Sequence, residues 1–292
     1  MKKKKDRNAK YGYIFITPHL IGFLLFTLFP VISSLFISFT DWNIYSNFSF
    51  NGVQNYIDLM SDQVFLKALS NTIFLVLMII PASIVISLLL AVALNNMEFS
   101  RIYRVFIFIP VVTSLTAVSL VWTLLYNTDF GLINAMLAKI NVKPVGWLTN
   151  RGTALLSMSI MTIWKIIGYN MTIFLAGLQG IPEQLYESAD IDGAGKVRKF
   201  FTITVPLLGP TTYFITVIAL IQIFQIFEQV YLMTGGGPAN ATQTIVMYLY
   251  SNAFKFLKMG YASAIAYVLF FLIFFISLIQ HRYSKKWADI SY

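Results

Sequence analysis

Cysteine is absent from this 292-residue chain, so no disulfide, thiolate nucleophile or cysteine metal site can be built from it. Charge is scarce: Asp, Glu, Lys and Arg together make up 11% of residues, and the acids number only 12. Histidine occurs twice, as His19 and His281 at opposite ends of the chain, and neither has acidic neighbours at ligand spacing. No catalytic triad or carboxylate pair falls inside an apolar stretch, which leaves acid–base and metal chemistry without residues. A P-loop is missing too. It needs Gly-x4-Gly-Lys-Ser/Thr so that backbone amides wrap phosphate and the hydroxyl holds magnesium. Gly195-Lys196 is followed by Val197 and lacks the upstream glycine.

What remains is apolar. Hydrophobic residues make up 58% of the chain, with 26 Phe, and the mean hydropathy is +0.72, values foreign to a soluble domain of this size. A spanning helix needs roughly 20 mostly apolar residues. Six stretches qualify: Gly12–Phe39, Ala68–Leu94, Val105–Tyr126, Ala154–Leu178, Pro206–Met233 and Ala262–His281. The runs are continuous rather than alternating, which argues against spanning strands. The first run is about twice as long as the ~7–15-residue core of a secretory signal, so it reads as a retained span. The expectation is an all-α integral membrane bundle with one transmembrane domain over 12–281, a basic start at 1–11 and a tail at 282–292. No internal repeat or low-complexity linker divides it.

Orientation follows from Lys and Arg, which favour cytoplasmic loops. With six spans both termini share a side. That side collects Lys2–Lys5, Arg7, Lys10, Arg101, Arg104, Lys196, Arg198, Lys199, Arg282, Lys285 and Lys286. The other side holds Lys67, Lys139, Lys143, Arg151, Lys255 and Lys258, a set less than half as large. Both termini are therefore expected to be cytoplasmic in a multi-pass membrane protein. The net charge of +9 is explained by this asymmetry and by contact with anionic lipid, without a nucleic-acid partner.

The loop between the fourth and fifth apolar stretches carries more local order than a turn requires. Pro182 suits the first turn of a helix. Glu183, Glu187 and Asp190 then share one stripe, with Ile181, Leu185 and Ala189 on the other. Gly193 supplies a stop, and Lys196, Arg198 and Lys199 follow the bend. On pattern alone this is either a docking element or an amphipathic linker.

The residue order adds to that. Glu187-Ser188-Ala189, three residues, Gly193, nine residues and Ile203-Thr204-Val205-Pro206 resembles the cytoplasmic Glu-Ala-Ala loop of ABC importer permeases, with Ser188 for Ala and Val205 for Leu as mild departures. The run from Trp164 to Pro210 and the segment Phe227–Pro238 resemble the binding-protein-dependent carbohydrate permeases. That resemblance implies a type I importer permease with six spans in the bacterial cytoplasmic membrane, a core of five later spans and a peripheral first span. It also implies a coupling loop at 179–205 in which Glu183, Leu185, Tyr186, Glu187, Ser188, Ala189, Asp190, Asp192, Gly193, Ala194 and Pro206 engage an ATPase. The implied partners are two cytoplasmic ATPase subunits holding ATP and magnesium, an extracellular solute-binding protein and a second permease. Gly235-Gly236-Gly237-Pro238 and the basic start look like the first of two unlike permeases, so a heterodimer is expected.

Polar residues inside spans are costly and mark pathways. Gln222, Gln225 and Gln229 are spaced i, i+3, i+7 and form a stripe on the fifth span, joined by Glu228. Trp164, Lys165, Tyr169 and Asn170 form a second cluster on the fourth, and Trp122 and Tyr126 stand on the third. Amides bind hydroxyls and rings cover C–H faces, which suits a sugar; bonds between helices are the alternative role. Lys165 either snorkels or pairs within the bundle, with Glu228 one conceivable partner. Two other classes stay open. An ion-coupled secondary transporter needs titratable groups at mid-membrane, where Glu228 is nearly alone, and a passive channel or scaffold would not need the loop.

Overall fold

The computed structural model describes residues 7–44, 48–95, 97 and 100–288. The Lys2–Lys5 cluster and the end of the tail lie outside the described residues. Two compact units are formed, one of the residues up to Ser61 with Leu249–Val268, the other of Asp62–Tyr248 with the chain from Leu269 onward.

In the first unit, helix α1 runs Arg7–Phe23, passes through a π-helical turn at Leu24–Leu28 and continues as Phe29–Ser38. None of its apolar 18-residue window is buried, and Phe15 and Phe26 are 82% and 81% exposed. Such a helix persists only where lipid or another chain replaces water. Its end is closed by α2 (Gln54–Ser61), whose buried Asn55 donates to the carbonyls of Ser38 and Thr40 at 2.8 and 2.9 Å.

In the second unit α3 (Gln63–Asn95) is started by Asp62, whose Oδ1 accepts from the amides of Val64 and Phe65. The helices α4 (Ser100–Val112), α5 (Leu115–Leu125), α6 (Leu132–Ala138) and α7 (Ala154–Gln179) follow. The loop helix α8 (Glu183–Ile191) leads into α9 (Lys196–Leu207), α10 (Gly209–Phe224), α11 (Glu228–Met233) and α12 (Ile245–Tyr250), the last two residues of which belong to the first unit. A last helix, α13 (Met259–Ala288), begins in the first unit and ends in the second. The core joins Ala91 and Leu94 of α3 to Met171, Phe174 and Leu178 of α7 and to Leu208 and Ile215. Gly168 makes the α4–α7 contact possible: a Cβ there would sit 2.3 Å from the Ile107 carbonyl oxygen.

Among the described residues four helices are long and apolar enough to cross a membrane, at Tyr13–Ser38, Gln63–Asn95, Ala154–Gln179 and Met259–Arg282. The expected third and fifth spans are not straight. Arg101–Val112 and Leu115–Leu125 meet at 97°, and Lys196–Leu207 and Gly209–Phe224 at 62°. Counting each bent pair once restores six. The second bend has a local cause: Pro210 has no N–H for the Pro206 carbonyl, four residues back, so the ladder fails there.

Candidate functional site

The loop after α7 is a fixed piece of structure. Pro182 stands just before the helix, at φ −59° and ψ 131°, rather than in its first turn. α8 ends in a Schellman closure: the Ala194 amide donates to the Ala189 carbonyl at 2.8 Å and the Gly193 amide to Asp190 at 3.0 Å. Gly193 takes the left-handed conformation this requires, at φ +72°. Across the bend Lys199 Nζ lies 2.6 Å from Asp190 Oδ1, and the hydroxyls of Tyr186 and Thr204 share a hydrogen bond at 2.9 Å.

Glu183, Glu187 and Asp190 face out, as the stripe predicts, and Ser188 and Asp192 are exposed as well. The inward stripe holds at Ile181 and Ala189 and differs from expectation at Leu185. Ile181 is buried and Tyr186 packs against the α3–α7 core, while Leu185 is 40% exposed. Ile191 and Val197, at 87% and 72% exposure, add uncovered apolar surface to the acidic face. Ala189 and Ala194 are half-buried, and Pro206 sits inside α9.

The second gathering of polar groups is a cavity of about 380 Å³ inside the second unit. Gln222, Gln225, Glu228 and Gln229 all line it, together with Lys165, Thr162 and Phe227. They do not share one helical stripe. α10 stops at Phe224 and α11 starts at Glu228, so Gln225, Ile226 and Phe227 form a break. The break turns the residues of both half-helices toward one space, which a continuous i, i+3, i+7 row would not do. Thr244 Oγ1 donates to the Ile226 carbonyl at 2.9 Å and so replaces a helical bond the break removes.

Lys165 is not paired directly with Glu228. Its Nζ donates to the carbonyls of Pro110 and Thr113 at 2.9 and 2.8 Å, the acceptors freed by the bend between α4 and α5. A cation at a helix C-terminus also matches the dipole. Glu228 instead accepts from Thr116 in the first turn of α5. The residues of the bend are thereby tied to the residues of the cavity.

Trp164, Tyr169 and Asn170 are not among the residues lining this cavity. Trp164 stacks edge-on against Trp122, with ring centroids 5.6 Å apart. Tyr169 is 39% exposed, and Asn170 is 4% exposed with its Nδ2 unpartnered. Tyr126 is buried, its hydroxyl donating to the Ser157 carbonyl. Thr116 and Thr162 were not singled out from the sequence, since threonine is common in apolar helices and bonds its own backbone there. Asn71 was also missed. It clamps the loop that follows the glycine-rich segment by donating to the carbonyls of Asn240 and Gln243, both at 2.9 Å.

Residues 60–289 match the family described as binding-protein-dependent transport system inner membrane component. A probable ABC transporter permease protein of Bacillus subtilis, YurN, is 35% identical over 96% of this chain and 98% of its own length. The lactose transport system permease protein LacF of Rhizobium radiobacter is 35% identical over 94% of both chains. Among solved structures, a bacterial alginate ABC transporter in complex with alginate pentasaccharide-bound periplasmic protein superposes with a TM-score of 0.86 at 24% identity, covering 98% of each chain. At that identity the likeness speaks for the fold alone.

Proposed function

Because the chain belongs to the family of binding-protein-dependent transport system inner membrane components, we propose that it forms, with a second and unlike permease, the pathway by which a sugar or oligosaccharide enters the cell. It is an ABC importer permease with the type I fold, a multi-pass membrane protein. Family membership does not favour the ion-coupled transporter considered from the sequence. In the proposed cycle an extracellular binding protein delivers the cargo, and two cytoplasmic ATPases holding ATP and magnesium seat the 182–200 loop. The permease chain itself hydrolyses nothing.

The observation that carries the cargo assignment is the cavity built on the α10–α11 break. Its volume of about 380 Å³ lies within the ~300–1,000 Å³ usual for small-molecule sites. Four amide or carboxylate side chains face it, and Phe227 offers an apolar surface for sugar C–H groups. Lys165 spends two of its three donors on backbone carbonyls, so at most one N–H of it is left for cargo. A relative named for lactose transport supports the same cargo class.

The coupling assignment is supported by the contacts that hold the loop's shape, the Schellman closure, the Lys199–Asp190 pair and the Tyr186–Thr204 hydrogen bond, since a lever must keep its form under load. The test is purification of the complex through a tag on this chain, followed by ATPase assays against a sugar panel with the binding protein present. Co-purification of an ATPase and stimulation by one sugar are expected. Solute movement by the isolated chain, or a complex without a nucleotide-hydrolysing subunit, would sink the proposal.

A further inference from the structure

A groove of about 700 Å³ runs between α4 and α7 and plays no part in the site above. Its two ends differ. Arg101, Arg104 and Gln179 line one end; Phe108, Ile109 and Val112 line the wall beyond. Arg101 and Arg104 are three residues apart on α4 and so lie on one face. Neither makes an ion pair among the described residues. Arg104 donates from one terminal nitrogen to the Leu94 carbonyl at 3.3 Å, while its Nε is buried and unpartnered. No acidic side chain lines the groove among the described residues. The wall is open to the outside, with Ile109 at 48% and Val112 at 72% exposure.

We propose that this groove holds one anionic phospholipid, its phosphate on Arg101 and Arg104 and an acyl chain along Phe108, Ile109 and Val112. Three observations converge on that occupant. The two guanidiniums present fork geometry and positive charge, which phosphate matches. Arg101 to Val112 spans eleven residues, about 16 Å of helix, roughly half of a ~30 Å hydrocarbon core. The charged end adjoins Gln179 at the end of α7, the same end from which the 182–200 loop emerges, where anionic headgroups meet basic pockets between helices. A sugar is the poorer occupant because the wall offers apolar carbon where hydroxyls need partners.

The test uses the full-length chain in nanodiscs of phosphatidylglycerol with phosphatidylcholine, released into mild detergent for native mass spectrometry. One phosphatidylglycerol per chain is expected to survive release, with phosphatidylcholine lost. R101Q/R104Q is expected to lower that retention at least tenfold. A176W, which fills the groove from an exposed position and keeps both arginines, is expected to do the same. R101K/R104K, which keeps the charge but loses the fork, is expected to fall between the unaltered chain and R101Q/R104Q. Equal retention of the two lipids, undiminished retention in either R101Q/R104Q or A176W, or equal losses in the lysine and glutamine variants would overturn the assignment. So would a photocrosslinker at Ile109 that captures a polypeptide rather than lipid.

Discussion

At Gly193 the backbone sits at φ +72°, where an L-residue pays about 1–2 kcal/mol. An added Cβ would meet nothing within 4 Å. Strain and size can therefore be separated at this residue. If the Schellman stop alone matters, Gly193→Asn keeps most uptake, because Asn tolerates the left-handed region, while Gly193→Ala loses it with ATP hydrolysis persisting. If a partner's surface closes over the position, Asn fails as badly as Val. Uptake and hydrolysis measured side by side in vesicles decide, and full uptake by the Ala variant would argue against any coupling role. In the cavity, Gln222→Leu and Gln225→Leu each remove one hydrogen-bonding amide, a loss of about 0.5–1.5 kcal/mol. The transport KM should rise roughly two- to tenfold with hydrolysis in the absence of cargo unchanged. An unaltered KM in both variants would move the pathway elsewhere. Gly193 was legible in the sequence because a glycine after an amphipathic run has few other uses. Tyr186 was legible only as part of the loop, since nothing local says that its ring turns inward to meet Thr204.

Two elements owe their shape to side chains distant in sequence. The α4–α5 bend leaves the Pro110 and Thr113 carbonyls without helical partners, and Lys165, more than fifty residues on, supplies both bonds. Removing them by Lys165→Met leaves two acceptors in an apolar setting, each costing about 1–3 kcal/mol. The purified protein should unfold at a lower temperature in detergent, and the loss should be smaller for Lys165→Gln, which retains a donor. No change in either variant would mean the bend holds itself. Gly168→Ala tests the same region from the other side, because its Cβ would meet the Ile107 backbone oxygen at 2.3 Å. α4 must then move away from α7, and a thermal shift larger than that of Gly177→Ala, where side-chain atoms rather than backbone are nearest, is the expected result. The six apolar runs were readable from length and composition. Their bends were not, because hydropathy reports burial in lipid and is blind to where a ladder is interrupted and repaired. The glutamines of the fifth span were grouped correctly for the wrong geometric reason: the break at Gln225–Phe227, and not helical periodicity, brings them to one cavity.

For the whole molecule, the open physical question is direction across the bilayer, and the lack of cysteine makes it directly measurable. Single cysteines can be placed at Met97, Lys143, Glu183 and Arg282, all exposed, and probed with a membrane-impermeant maleimide. Each site brackets a different element. Met97 and Lys143 flank the bent α4–α5 pair, Lys143 and Glu183 flank α7, and Glu183 and Arg282 flank the α9–α10 pair together with α13. If both bent pairs cross the membrane and the Lys/Arg bias sets the direction, only Lys143 is labelled in intact cells, and the other three react after permeabilisation. Labelling of Met97 together with Lys143 would make α4–α5 a re-entrant hairpin rather than a span. Labelling of Arg282 alongside Lys143 would do the same for α9–α10. Labelling of Glu183 from outside would invert the chain, remove the 182–200 loop from any cytoplasmic ATPase and take the coupling proposal with it. The bends at 97° and 62° are what give the first two outcomes their force, since a straight six-helix bundle would leave nothing to distinguish.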